Sequence, residues 1–412
     1  MNYDEFVQKV TANGQGHLVK LYERLDEGKR KRLLNQVDKI NFDEIRRLYA
    51  LTKEKKEFND VKIEAIDAQD ASEIPQDVKE EYIKIGKDAI RNGKFAVVMM
   101  AGGQGTRLGH SGPKGTFDFG LESHKSIFEV FVDKFKEARD EYGVCVPWYI
   151  MTSKDNNQET IEFFYNNDYF GYEEGIKTFF SQNELPMLDE SGKLIVDENG
   201  LIKEAANGHG GVFEALVSNG ILEQLKQKGI EWIFTCGVDN VLANLVDPLL
   251  LGYSIKNNYM ATSVSCIKAS PEEKVGVLCT KDGKPSVVEY TELTDDLRYA
   301  TKETGELYLS ESHIMMNLFN VGVISDIALK ELPYHVAHKK SNIVDEAGNV
   351  LIPEKPNAYK FETFIFDAFE RLPKLGVLRY KREECFAPIK NAEGNDSPAT
   401  ALKLYKDFYN IK

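Results

Sequence analysis

Residues Phe95 to Phe119 read FAVVMMAGGQGTRLGHSGPKGTFDF, and this stretch decides the fold. Phe95-Ala96-Val97-Val98-Met99-Met100 is an unbroken apolar run, the pattern of a strand covered on both faces. It delivers the backbone into Ala101-Gly102-Gly103-Gln104-Gly105-Thr106-Arg107-Leu108-Gly109. Glycines there permit positive φ and let main-chain N–H groups approach an anion with no Cβ in the way. Arg107 adds a planar cationic fork, and Lys114, just after Pro113, adds a point charge. A strand, a glycine turn and two cations so close together suit a polyphosphate.

Two better-known phosphate loops are excluded. The spacing is not G-x-x-x-x-G-K-[ST], because Lys114 is flanked by Pro113 and Gly115, and Leu108 stands where a dinucleotide G-x-G-x-x-G needs its third glycine. What remains, M-A-G-G-x-G-T-R-L-G followed by P-K-G, resembles the signature of sugar-1-phosphate nucleotidylyltransferases. The T-R-L-G and P-K-G elements are most similar to those of the eukaryotic-type UDP-N-acetylhexosamine/UDP-sugar pyrophosphorylases. That resemblance implies a Rossmann-like nucleotidyltransferase fold in which Ala101, Gly102, Gly103 and Gly105 hold the nucleotide.

With 412 residues, 42% hydrophobic and 29% charged, the chain can bury a large core. The net charge of -14 argues against nucleic acid or an anionic membrane as partner. An acidic protein that binds a nucleotide must concentrate cations locally, so the charge around the glycine loop is more telling than the total. No apolar run is long enough for a membrane span, and the acidic start Met1-Asn2-Tyr3-Asp4-Glu5 is unlike a signal peptide. Five cysteines lack metal-ligand spacing and read as reduced core residues, so a cytoplasmic location without a zinc site is expected.

Residues 1–93 read as a helical N-terminal region. Leu18, Leu21, Tyr22 and Leu25 recur at helical spacing, as do Leu33, Leu34, Val37 and Ile40. Asn41 with Glu44 is a capping-box signature, and the run Lys53 to Lys56 reads as a solvated helix end. No catalytic constellation falls here, which predicts an appendage for packing or assembly. Residues 94–412 alternate strand and helix, with candidate strands at 95–100, 147–152, 177–181, 231–236 and 260–267. Helical patterns run from Ser126 to Arg139 and from Gly211 to Lys228. The pattern predicts an α/β catalytic domain, a mainly parallel sheet with helices on both faces, and ligands beyond the carboxyl ends of its strands.

Further motifs extend the resemblance. Trp232 to Asn240 is an apolar strand ending in Val238-Asp239-Asn240, and V-D-N matches the family's metal-binding aspartate, which makes Asp239 the Mg²⁺ ligand. Asn207-Gly208-His209-Gly210-Gly211 matches a nucleoside-contacting loop, implying contacts from Gly208 and His209. Phe179-Phe180-Ser181-Gln182 places Gln182 as the uracil-reading amide, which offers a donor and an acceptor together. Gly276 to Glu292 reads as a hairpin around Asp282-Gly283, and its Glu289 matches the family's sugar-hydroxyl carboxylate. Phe319-Asn320-Val321-Gly322 matches F-N-x-G and puts Asn320 near the sugar, while Val323 departs from the second Asn common in N-acetylhexosamine enzymes. Pro356-Asn357 through Lys360 and Glu362 matches a substrate-binding segment, and Phe386-Ala387-Pro388-Ile389-Lys390 places Lys390 on the phosphates. Family members usually continue into a C-terminal β-rich domain, whereas this sequence stops about twenty residues after Lys390, so that domain is expected to be absent. His110 reads as a loop hydrogen-bonder.

These readings predict a uridylyltransferase that forms a UDP-sugar and pyrophosphate from UTP and a sugar 1-phosphate with Mg²⁺. Arg107, Lys114 and Lys390 would serve as its catalytic cations. The sugar is left between N-acetylglucosamine and glucose or galactose, with Val323 pulling toward the hexose. The expected state is a monomer or weak dimer. The alternative is a catalytically silent nucleotide-sugar sensor, against which stands the joint presence of Arg107, Lys114, Asp239 and Lys390.

Overall fold

The computed structural model describes residues 1–54, 61–345 and 349–411. The chain forms two compact units, and they do not part at residue 93. One comprises Met1–Asn59, Asn183–Gly211 and Pro333–Phe364; the other comprises Asp60–Gln182, Val212–Leu332 and Ile365–Lys412.

The first unit contains the helices Tyr3–Ala12, His17–Arg24, Glu27–Lys39 and Phe42–Leu51. Asn2 and Glu5 form a reciprocal capping box, and Asn41 accepts from the N–H groups of Asp43 and Glu44. Each helix is short and has one apolar face, so the four cannot enclose a core by themselves. Phe6, Leu18, Leu33, Val37 and Leu48 instead bury against Leu188, Leu194, Ile202 and Phe361. The helical region is therefore part of a unit built with two later segments, including the sheet of Leu188–Asp189, Ala358–Glu362 and His335–Lys339. Lys53 is exposed beyond the last helix, while Lys55 and Lys56 lie outside the described residues.

The second unit is organised by an eleven-stranded sheet. Eight strands form its main path: β1 (Gln69–Asp70), β2 (Phe95–Met100), β3 (Trp148–Thr152), β4 (Ile176–Ser181), β5 (Trp232–Gly237), β6 (Ala261–Ile267), β7 (Glu311–Asn320) and β8 (Gly376–Arg379). Their order is β1-β8-β6-β7-β5-β2-β3-β4. Neighbours are parallel except where β7 runs against both β6 and β5. Every residue of β2 is buried, as an unbroken apolar run in a central strand requires. The hairpin Val277–Lys281/Lys284–Val288 turns through Asp282 and Gly283, both at positive φ.

The helix Ile127–Tyr142 is capped by Ser126 and ends on a left-handed Gly143. The predicted helix from Gly211 to Lys228 is two, Val212–Ser218 and Ile221–Gln227, because Gly220 between them adopts φ 70°. The helix Gln76–Arg91 packs on Pro248–Lys256 through Gly86 and Gly252. A Cβ at either glycine would overlap a backbone carbonyl of the other helix. This close approach places Gln76–Arg91 in the sheet unit, not with the N-terminal helices.

Candidate active site

The carboxyl ends of β2, β3, β4 and β5 lie on one sheet edge, in register from Met100 to Gly237, Met151 and Phe180. The Ala101 N–H still bonds to Met151 O at 2.7 Å, so the chain leaves the sheet only at Gly102. The loop then closes on itself: Gly105 N–H donates to Gly112 O at 2.9 Å, and Lys114 N–H donates to Gly103 O at 3.0 Å. The N–H groups of Ala101 and Gly105 are thus engaged within the protein and are not available to a nucleotide. Among the described residues, no backbone acceptor takes those of Gly102, Gly103 or Gln104.

Positive φ is used only at Gly109 in this loop, at 71°. Gly102 and Gly105 are required for room instead. A Cβ on Gly102 would overlap the Gln182 side-chain amide, and one on Gly105 would stand 2.8 Å from the His110 ring. Gly103 faces open space, with nothing within 4 Å of its Cβ position. His110 bonds Thr116 Oγ1 at 2.7 Å, the loop role expected of it. A residue not anticipated from sequence, Asn156, braces the loop from below. It is fully buried, donates to Ala101 O at 3.0 Å and accepts from Ser153 N at 2.8 Å. Its signal was a polar residue just past the apolar strand β3.

Arg107 is exposed on the short turn Thr106–Leu108. Lys114 is half-buried, and its Nζ donates to Ile389 O at 3.2 Å. The N–H of that same Ile389 donates to Asp239 O at 2.8 Å. Lys390 follows, its Nζ 3.9 Å from the Asp396 carboxylate and 5.3 Å from the centre of the Phe386 ring. Burial pushes the Asp396 carboxyl up, and the Lys390 charge opposes that shift. Three motifs far apart in sequence therefore meet at the carboxyl edge of the sheet.

Asp239 is half-buried just past β5. Among the described residues no cluster of three or more His, Cys, Asp or Glu side chains could hold a metal. Asp239 stands near enough to Asp396 to help raise that carboxyl, and a site of one or two carboxylates fits Mg²⁺, which keeps several waters and takes its remaining ligands from substrate phosphates.

Glu289 is half-buried at the end of the hairpin, with Oε1 3.0 Å from the Cβ position of Gly276. Gly276 O accepts from the N–H of His313, at the amino end of β7. His313 is buried, its ring bonded to Asn317 Oδ1 at 3.2 Å, and desolvation pushes the imidazole down to about 4. Asn320 is not in this group. Because β7 is antiparallel to β5, Asn320 pairs with Trp232, the first residue of β5, whereas Asp239 follows the last. Five residues of strand separate the two ends, roughly 17 Å. Asn320 caps the helix Val321–Leu329, accepting from Gly322 N at 2.9 Å. Val323 lies in that helix and lines a groove with Met260, Ile327 and Arg371. The expectation that Asn320 and Val323 face the sugar is overturned by the direction of β7.

Gly208, His209 and Lys360 belong to the first unit. Gly208 has φ 84°, and a Cβ there would overlap the Thr363 carbonyl. His209 stacks on Phe364 at 5.1 Å, and Phe364 stacks in turn on His335 at 4.2 Å. Lys360 pairs with Glu362 on its own strand at 2.8 Å.

The chain matches the family model described as UTP–glucose-1-phosphate uridylyltransferase over residues 40–412. It is 34% identical to UDP-N-acetylglucosamine diphosphorylase 2 of Arabidopsis thaliana, covering 98% of this chain and 83% of that protein. It is 37% identical to the UDP-N-acetylglucosamine pyrophosphorylase of Saccharomyces cerevisiae, covering 79% and 71% respectively. The crystal structure of the Trypanosoma brucei uridine diphosphate N-acetylglucosamine pyrophosphorylase in complex with inhibitor superposes with a TM-score of 0.81. That match has 30% identity and covers 97% of this chain and 84% of the other. A glycine loop, a strand-end carboxylate and two lysines gathered on one sheet edge are matched by likeness along nearly the whole chain, which belongs to the UDP-sugar pyrophosphorylase family of uridylyltransferases.

Proposed function

We propose that the chain transfers the uridylyl group of UTP to N-acetylglucosamine 1-phosphate, giving UDP-N-acetylglucosamine and pyrophosphate. The observation that carries this reading is the junction of Lys114, Asp239 and the Lys390 segment through Ile389. A phosphate oxygen of the sugar phosphate bonds to the α-phosphorus of UTP as the bond from that phosphorus to the β-bridging oxygen breaks. Pyrophosphate leaves with the electron pair. The attacking oxygen is already anionic, so no general base is needed, and catalysis consists of positioning and charge neutralisation.

The open N–H groups of Gly102, Gly103 and Gln104 hold phosphate oxygens, and Gln182 beside Gly102 reads uracil. Arg107 and Lys114 neutralise the β- and γ-phosphates, and Lys390 braces the sugar phosphate against the α-phosphate. Asp239 holds Mg²⁺, which when bound offsets the negative charge of the phosphates. Glu289 accepts from sugar hydroxyls.

The N-acetyl sugar is favoured over glucose or galactose on two grounds. The relatives compared above carry it in their names at 30–37% identity. Val323 does not weigh against it, since that residue lies on the helix capped by Asn320, away from Asp239. The test is pyrophosphate release from UTP with a panel of sugar 1-phosphates. A preference for N-acetylglucosamine 1-phosphate on the order of tenfold or more is expected, the scale of one or two hydrogen bonds. Equal or better use of glucose 1-phosphate would overturn the sugar. Binding of UDP-sugar without turnover of any substrate would overturn the enzyme reading in favour of a sensor.

A further inference from the structure

We propose that Asn240 is a positioning residue that joins the Asp239 loop to the Lys390 segment, so that the carboxylate and the ammonium are held as one rigid unit. The inference rests on the roles given above to Asp239 and Lys390.

Asn240 is 3% exposed, so its side chain cannot reach a substrate. Its Nδ2 donates to Cys385 O at 2.8 Å, and its Oδ1 accepts from Ala387 N at 2.9 Å. The same oxygen accepts from Leu242 N at 3.3 Å, which folds the loop just after Asp239. Around this clamp the two backbones run as a short antiparallel pair: Val241 N donates to Ala387 O at 3.3 Å and Ile389 N to Asp239 O at 2.8 Å. Asn240 stands opposite Pro388 in that pair. Asn240 and Pro388 form a non-hydrogen-bonded pair flanked by those two bonds, so neither main chain donates to the other at the point between the two functional residues. The amide of Asn240 adds two bonds to this pairing, taking the carbonyl of Cys385 and the N–H of Ala387 on either side of Phe386. Only a side chain with a donor and an acceptor at this reach serves both. From the other side of the loop, Lys134 Nζ donates to Val241 O at 2.7 Å and Ala243 O at 2.9 Å, so the loop is held at both flanks.

The experiment compares wild type with Asn240→Asp and Asn240→Ser. Aspartate keeps the acceptor and turns an anionic oxygen toward Cys385 O, while serine is shorter and serves one partner at most. Displacing catalytic groups by about an ångström costs on the order of 10²-fold in rate. We expect kcat to fall about tenfold in Asn240→Ser and about a hundredfold in Asn240→Asp. KM for both substrates and the Kd for UTP should stay within about twofold, a split that a general loss of folding would not give. In a Lys390→Ala background the Asn240 substitutions should cost far less than in wild type, because the group they position is gone. Unchanged kcat, additive losses in the double variants, or failure of both variants to fold would each overturn the positioning role. Failure of the underlying site reading is separate: it would appear as near wild-type turnover in Asp239→Ala and Lys390→Ala themselves.

Discussion

Gln182 lies against Gly102, so closely that a single methyl group on the glycine would overlap the glutamine amide. The two residues follow β4 and β2, which are separated in the sheet by β3, and Gln182 N–H is fixed to Thr152 O at 2.9 Å. The turn proposed to hold phosphate and the amide proposed to read the base are thus one surface.

Gly102→Ala is therefore expected to raise KM for UTP by about tenfold or more, because either the amide or the loop must move. Thermal stability should change little, since the loop lies outside the sheet ladder. Gln182→Ala should narrow the preference for UTP over CTP by a similar factor, the scale of one unsatisfied buried polar group. Steady-state kinetics with UTP, CTP and ATP check both; an unchanged nucleotide ranking would remove Gln182 from base recognition.

Asp239→Ala should lower kcat on the order of 10²–10³-fold while UTP binding is only weakened. Chelation of divalent cations should abolish turnover in wild type, and added Mg²⁺ should restore it there but not in the variant. Lys114→Ala should fall by a similar factor, since it removes a charge and also the donor to Ile389 O. Retained turnover after exhaustive chelation would refute the metal assignment.

Val323→Asn should leave the ranking of sugar 1-phosphates unchanged, because the residue sits on the helix at the opposite sheet edge. Asn320→Ala should act on stability alone, costing about 1 kcal/mol through the lost helix cap. Chemical denaturation and KM for the sugar phosphate separate the two effects. A changed KM with unchanged stability would return Asn320 to the substrate.

Stability should fall as pH drops from about 6.5 to about 4, in part because of His313. The unfolded chain binds this proton near 6.5, while burial delays it in the folded state to about 4. More protons are bound by the unfolded form in that window, so acid favours unfolding there, by up to roughly 3 kcal/mol from this group. His313→Gln keeps a donor for Asn317 and does not titrate, so its urea midpoint should depend less on pH between 7 and 4.5. Parallel curves for the two proteins would contradict the buried neutral imidazole.

Local sequence determined the parts whose physics is local. The apolar run Phe95–Met100 made a covered strand wherever it was placed, Ser126 started a helix, and Asp282-Gly283 turned a hairpin, because burial, capping and positive φ depend on adjacent residues. The motif around Gly102 was legible for the same reason, although its glycines serve close approach to Gln182 and His110 more than backbone handedness.

What only the tertiary structure decided is how distant pieces meet. Alternation of apolar residues reads the same in either strand direction, so nothing local states that β7 opposes β5, and that direction alone carries Asn320 away from the Asp239 end of β5 and brings the amino end of β7 toward it. Nor can the faces of the first four helices name their partners: Leu188, Ile202 and Phe361 complete that core because buried area, not chain proximity, selects what packs. The same holds for Asn240, whose amide has meaning only once the segment from Cys385 to Ala387, far along the chain, is brought beside it.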